Sequence, residues 1–170
     1  MPRPDLQRVP SFYHNYIDLV KQDELVPAMK EQEIAFRLFL DSIPASYCDH
    51  RYAESKWSIK ELLQHCIDAE RIFAYRSLCI ARKDQTAFPG FDEEAYAKNA
   101  KTNNRDWNSL KEEFSAVRRS SVLLFETFDE EQLEATGIAS GSSNYVRAFG
   151  FILVGHLIHH ENILRERYLG

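Results

Sequence analysis

Cysteine is scarce in this chain. Cys48, Cys66 and Cys79 are an odd number without CxxC spacing, two of them within one expected helix, which argues against a disulfide framework. Reduced thiols in a cytoplasmic protein are the simpler account. Clustered lysine and arginine are missing as well. With a net charge of -5, this argues against nucleic acid or an anionic membrane surface as the main partner. No apolar run approaches the length of a spanning helix, and the opening MPRPDLQRVP reads as neither signal peptide nor membrane anchor. No segment alternates apolar and polar residues convincingly, so no strand is expected. A Gly-rich phosphate loop, a Ser/His/Asp arrangement and fixed-period repeats are also lacking.

What remains is ordinary globular composition, 44% hydrophobic and 28% charged over 170 residues. That suffices for one domain, 1–170, with a real core, and is too short to expect two. The distinctive stretch is GHLIHHENILRERY, Gly155 to Tyr168, which places His156 and His160 one helical turn apart. Phe149, Ile152, His156, His160 and Ile163 recur at spacings of three and four, so both imidazoles lie on the stripe that faces the core. His159 sits on the flank, about 60° from His156 and about 100° from His160. A third ligand should therefore come from elsewhere.

His65 supplies the candidate. Its helix, SIKELLQHCIDAERIFAYRSLCIAR, begins at Ser58 with an SxxE capping box to Glu61 and carries Leu62, Ala69, Ile72 and Arg76 on the histidine face. A lone histidine on an apolar face is also the mark of a satisfied core residue, and an isolated HxxxH recurs by chance. Three neutral imidazoles in one bundle would form a tripod for a divalent ion and leave a position for water or substrate.

Three further long helices are expected. The first runs from about Leu25 to Ile43, with Ala28, Ala35, Phe36, Phe39, Leu40 and Ile43 buried and Pro44 as its stop. Another spans about Asp106 to Phe128 on Trp107, Leu110, Phe114, Val117, Ser121, Leu124 and Phe128, and the last begins near Ser143. Short helices are expected over Phe12–Val20, near Glu93–Ala97 and after Asp129, whose pairing with Gln132 repeats the capping signature. Gly137, Ser140, Gly141, Ser142 and Ser143 read as a loop. Phe88-Pro89-Gly90-Phe91 reads as a turn whose phenylalanines fold back, either as a lid on a pocket or as a plug in the bundle end, the plug being the simpler reading. The expected fold is all-α, a four-helix bundle with connections long enough to cross over and short extra helices.

Three nitrogen ligands suit Zn²⁺ or Ni²⁺. A bound water would have its pKa lowered toward neutrality, or a bound thiol would be deprotonated. HLIHH is not HExxH, so the base of a zinc peptidase is missing. The imidazole N–H groups should find acceptors. Asp68, Glu70 and Glu161 neighbour the histidines in sequence, yet solvated or paired helix charges are their plainer reading. Cys66, beside His65, points about 100° away from it and reads as a small core residue. Arg76 lies three turns beyond His65 on the same face and could hold a substrate carboxylate, snorkelling to the surface being the alternative.

RYAESKWSIKELLQHCIDAERIFAYR, FPGFDEEAY and GHLIHHENILRERYL together resemble the DinB-like superfamily, which includes the YfiT-type metal-dependent hydrolases. The resemblance covers most of the chain. It implies a four-helix bundle of crossed-over order, a divalent metal held by His65, His156 and His160 near one bundle end, and a homodimer. Characterised relatives include transferases and an isomerase that use low-molecular-weight thiols such as bacillithiol or mycothiol. The expected function is thus a cytoplasmic metal-dependent hydrolase or thiol S-transferase acting on a small molecule, with a low-molecular-weight thiol as possible co-substrate. The alternative is a non-catalytic metal- or thiol-binding module of the stress response.

Overall fold

The computed structural model describes residues Met1–Gly170. Seven α-helices and one small hairpin follow each other in the order α1 (His14–Leu19), α2 (Leu25–Ser42), α3 (Ile59–Ala81), α4 (Glu93–Asn99), α5 (Trp107–Glu126), α6 (Glu130–Glu134), β1 (Thr136–Ala139), β2 (Ser142–Tyr145) and α7 (Val146–Ile163). A π-helical turn, Leu164–Tyr168, extends α7. Two of the long helices start where side chains satisfy their free N–H groups: Ser58 and Glu61 form the reciprocal box at α3, and Asp106 accepts from Ser109 at α5.

In the bundle, α3 packs against α5 and α7, and α2 packs against the same two helices. Consecutive helices α2 and α3 are therefore diagonal to each other, as are α5 and α7. Crossed-over order follows from the long connections, as the sequence suggested. Helix α1 lies along α7, held by Gly155, where an added Cβ would stand 1.9 Å from the carbonyl oxygen of Tyr16.

Two expectations fail between α6 and α7. Residues read as a loop form an antiparallel hairpin, Thr136 opposite Tyr145 through Ala139 opposite Ser142, and α7 begins at Val146 rather than near Ser143. Ser140 and Gly141 both have positive φ, 52° and 75°, which is the two-residue turn that suits the twist of paired strands. TGIA and SSNY carry little alternation because the strands are short, and the hairpin gains its support by packing on α3, with Gly137 tight against Ile80. Phe88 extends it: its N–H donates to Ile138 and its carbonyl accepts from Ser140. In α2 the buried stripe also differs. Ala35 is exposed, and Gln32 is buried, donating to the Val154 carbonyl at 2.7 Å.

The apolar core falls into two clusters. One gathers the C-terminal half of α3, Ala69 to Ile80, with Phe149 and Ile152 of α7; the other gathers Ile59 to Ile67 with Leu157 and Leu164. Between them each long helix contributes a buried polar residue: Gln32, Glu70, Arg118 and His156. The histidines belong to that seam.

Candidate metal centre

His65 from α3 meets His156 and His160 from α7 across the packed α3–α7 contact. All three rings are buried, 5%, 9% and 9% exposed, so solvent does not hold their nitrogens. Nε2 of His156 lies 3.0 Å from Nε2 of His65 and 3.0 Å from Nε2 of His160, and the candidate ligand atoms all fall within 4.8 Å of one another. The three residues that sequence spacing singled out are thus brought together, and His159 is not among them; its ring packs on Tyr16 instead.

The donor set fits a cation. An imidazole nitrogen offers one in-plane position, holding either a proton or a lone pair. Nε2 of His156 can serve two neighbours only by sharing a single proton, whereas three lone pairs directed at one ion satisfy every ring. Burial also keeps the rings neutral. It lowers the His65 pKa to about 4, helped by His159, and pushes His156 and His160 well below the usual imidazole value, helped by the neighbouring imidazoles.

The rings themselves pack on aromatic side chains. Trp57 packs on the His65 ring at 4.9 Å between centroids and Tyr16 meets His156 edge-on at 5.5 Å. Expected acceptors for the outer ring nitrogens are not found: Nδ1 of His160 is buried without a partner. Asp68 bonds Gln64, Glu70 pairs with Arg118 at 3.0 Å and Glu161 pairs with Arg165, so all three carboxylates follow the plainer reading. Cys66 is a core residue whose thiol burial pushes well up.

Two cavities reach the triad. One, about 430 Å³, touches His156 and is walled by Tyr13, Tyr16, Phe73, Phe91, Glu93 and Arg76. The other, about 210 Å³, touches His160 beside Trp57, Glu94 and Tyr168. Phe88 is buried in the apolar core, in line with the plug reading, and Phe91 lines the larger cavity. Arg76 does not snorkel; it is 3% exposed. Tyr16, Trp57, Glu93 and Glu94 escaped the sequence reading as site residues, because they arrive through α1, the connection before α3 and the short α4, where no spacing marks them.

A family model described as the DinB superfamily matches residues 28–164. The chain belongs to this superfamily. YfiT from Bacillus subtilis, a probable metal-dependent hydrolase with an unusual four-helix bundle topology, has a similar fold: TM-score 0.75 at 14% identity, covering 84% of this chain and 82% of that one. No curated protein matches the chain. The matched stretch of this DinB superfamily chain contains all three histidines and Arg76, while α1, which contributes Tyr16 to the cavity wall, lies before it.

Proposed function

We propose that this DinB superfamily chain is a metal-dependent enzyme acting on a small molecule, as a hydrolase or as a transferase using a low-molecular-weight thiol. His65, His156 and His160 would hold a divalent ion, zinc or nickel. One observation carries the reading: three neutral, buried imidazoles converge at the wall of a cavity of about 430 Å³. When bound, such an ion supplies Lewis acidity, which makes a water or a thiol nucleophilic near neutral pH. The chain's own residues do the rest. Tyr16, Phe73 and Phe91 exclude bulk water, and the triad is oriented by its helices rather than by carboxylates.

The alternative is a non-catalytic module that stores or senses a metal or thiol, and one observation favours it: no carboxylate is hydrogen-bonded to any of the three rings, so no acid–base partner is attached to the ligands themselves. Elemental analysis of untagged protein purified without chelator is expected to give about one divalent ion per chain. Full metal content in the His65→Ala, His156→Ala double variant defeats both readings. Turnover of a panel of thiol conjugates and small esters separates them, since only the enzyme turns over.

A further inference from the structure

Five cations lie buried in this protein: Lys60, Arg76, Lys111, Arg118 and Arg147. Four of them meet carboxylates. Lys60 pairs with Asp49, Lys111 with Asp41, Arg118 with Glu70, and Arg147 with both Glu130 and Glu134. Arg76, equally buried, bonds only neutral oxygens. A buried charge without a counter-ion is costly, and natural structures rarely retain one without a use.

Its hydrogen bonds show what is left over. Nη2 donates to the Pro89 carbonyl at 2.6 Å and to Ser140 Oγ at 3.4 Å, which ties the Pro-Gly turn to the tip of the hairpin. That clamp accounts for the two Nη2 protons. The Nε–H and both Nη1 protons have no acceptor in the protein, and neither nitrogen is sealed away from solvent. Arg76 lines the larger cavity together with His156. A guanidinium with free N–H donors and the metal-ligand triad therefore share one space.

We propose that this cavity takes a small molecule with an apolar body and one carboxylate, the carboxylate accepting from a free guanidinium N–H of Arg76. The assignment rests on reading the cavity as the substrate's. A free guanidinium N–H gives a carboxylate a charge-assisted hydrogen bond, which is shorter and roughly twice as strong as a neutral one. Phe12, Phe73, Phe91 and Ile152 give the cavity apolar walls. Glu93 lines it too, and burial raises its pKa without any cation beside it. A second negative charge on the ligand would face that carboxylate, so phosphate dianions and dicarboxylates are selected against. Arg76 also borders an outer groove with Tyr75 and Tyr96, but that groove does not reach the histidines.

The test uses chelator-treated protein, so that it does not depend on the metal. The NMR signal of the Arg76 Nε–H, identified by its loss in Arg76→Met, is followed during titration with acetate, butyrate, phenylacetate, phenylacetamide and inorganic phosphate. The three carboxylates are expected to shift it saturably, more tightly as the apolar body grows. Phenylacetate should bind about tenfold or more tighter than phenylacetamide, and lose about that factor in Arg76→Met. The Ile152 methyl signals, which report only the inner cavity, should move with it. Ser140→Ala removes a clamp contact and one polar atom of the cavity wall, and should weaken phenylacetate binding far less than Arg76→Met does; equal loss in the two means a structural clamp and overturns the proposal. It is overturned as well if no carboxylate shifts the signal, if phosphate binds as tightly as phenylacetate, or if Tyr96 responds and Ile152 does not. Should Arg76→Met fail to fold, Arg76→Gln removes the charge and keeps a polar donor, and unchanged phenylacetate affinity in it overturns the proposal. Carboxylate binding without metal uptake defeats only the catalytic reading, and metal uptake without carboxylate binding defeats only this one.

Discussion

Arg118 Nη2 and Glu70 Oε2 meet at 3.0 Å in the polar seam that splits the core, with Arg118 fully buried and Glu70 3% exposed. Arg118 also reaches the Leu153 carbonyl at 3.5 Å, three residues before His156, so one side chain links α5 to both histidine-bearing helices. Removing one partner strands a charge in a dry interior. Arg118→Met is expected to lose about 3–5 kcal/mol, while the Glu70→Met, Arg118→Met double variant recovers most of that loss. Urea denaturation measures both, and a single variant as stable as the parent contradicts the account.

Gly155 is a second point of leverage. A Cβ there would overlap the Tyr16 carbonyl, so Gly155→Ala must push α1 away from α7. We expect a loss of about 1–3 kcal/mol, accompanied by faster amide exchange in α1 while α5 stays protected. Unchanged exchange in α1 would show that the helices part nowhere.

The pH dependence of the metal-free protein follows from burial of the triad. The His65 pKa falls from 6.5 to about 4 on folding, so between those values the unfolded chain binds a proton that the folded chain does not. Stability therefore declines as pH drops through 6.5, by roughly 2 kcal/mol from His65 alone at pH 5, and His156 and His160 act in the same direction. Chelator-treated His65→Gln should show a shallower decline in denaturation midpoint over that range. An equally steep one removes His65 as a cause.

Thiol accessibility gives a simpler check. Cys48 and Cys66 are buried while Cys79 is partly open, and burial pushes the first two thiols up in pKa. A chromogenic disulfide reagent should titrate about one thiol in the native protein and all three after denaturation. Rapid native reaction of Cys66→Ala and its parent at different stoichiometry would place Cys66 in reach of solvent.

The sequence was legible wherever a physical period or a local bond was at stake. Ser58 with Glu61 and Asp129 with Gln132 announced two helix starts, both now seen as reciprocal caps. The buried stripe of α3 and the inward pair His156 and His160 followed from helical spacing. The hairpin did not, because four-residue strands carry too few alternations and the pairing of Phe88 with Ala139 joins segments far apart in the chain. Ala35 was misplaced for a related reason: the position that Gln32 fills is polar, and its burial depends on the Val154 carbonyl across the bundle.

Sequence by itself determined four amphipathic helices, the starts of three of them, and three histidines turned toward a common interior, since side-chain direction on a helix is set by backbone geometry alone. Only the tertiary structure decided that those rings meet within 4.8 Å, that Arg118 finds Glu70, and that Arg76 finds no acid. The reason is one of range: periodicity fixes which way a residue points along its own helix, whereas the partner it meets depends on how distant segments pack, and on Gly155 letting one of them come close.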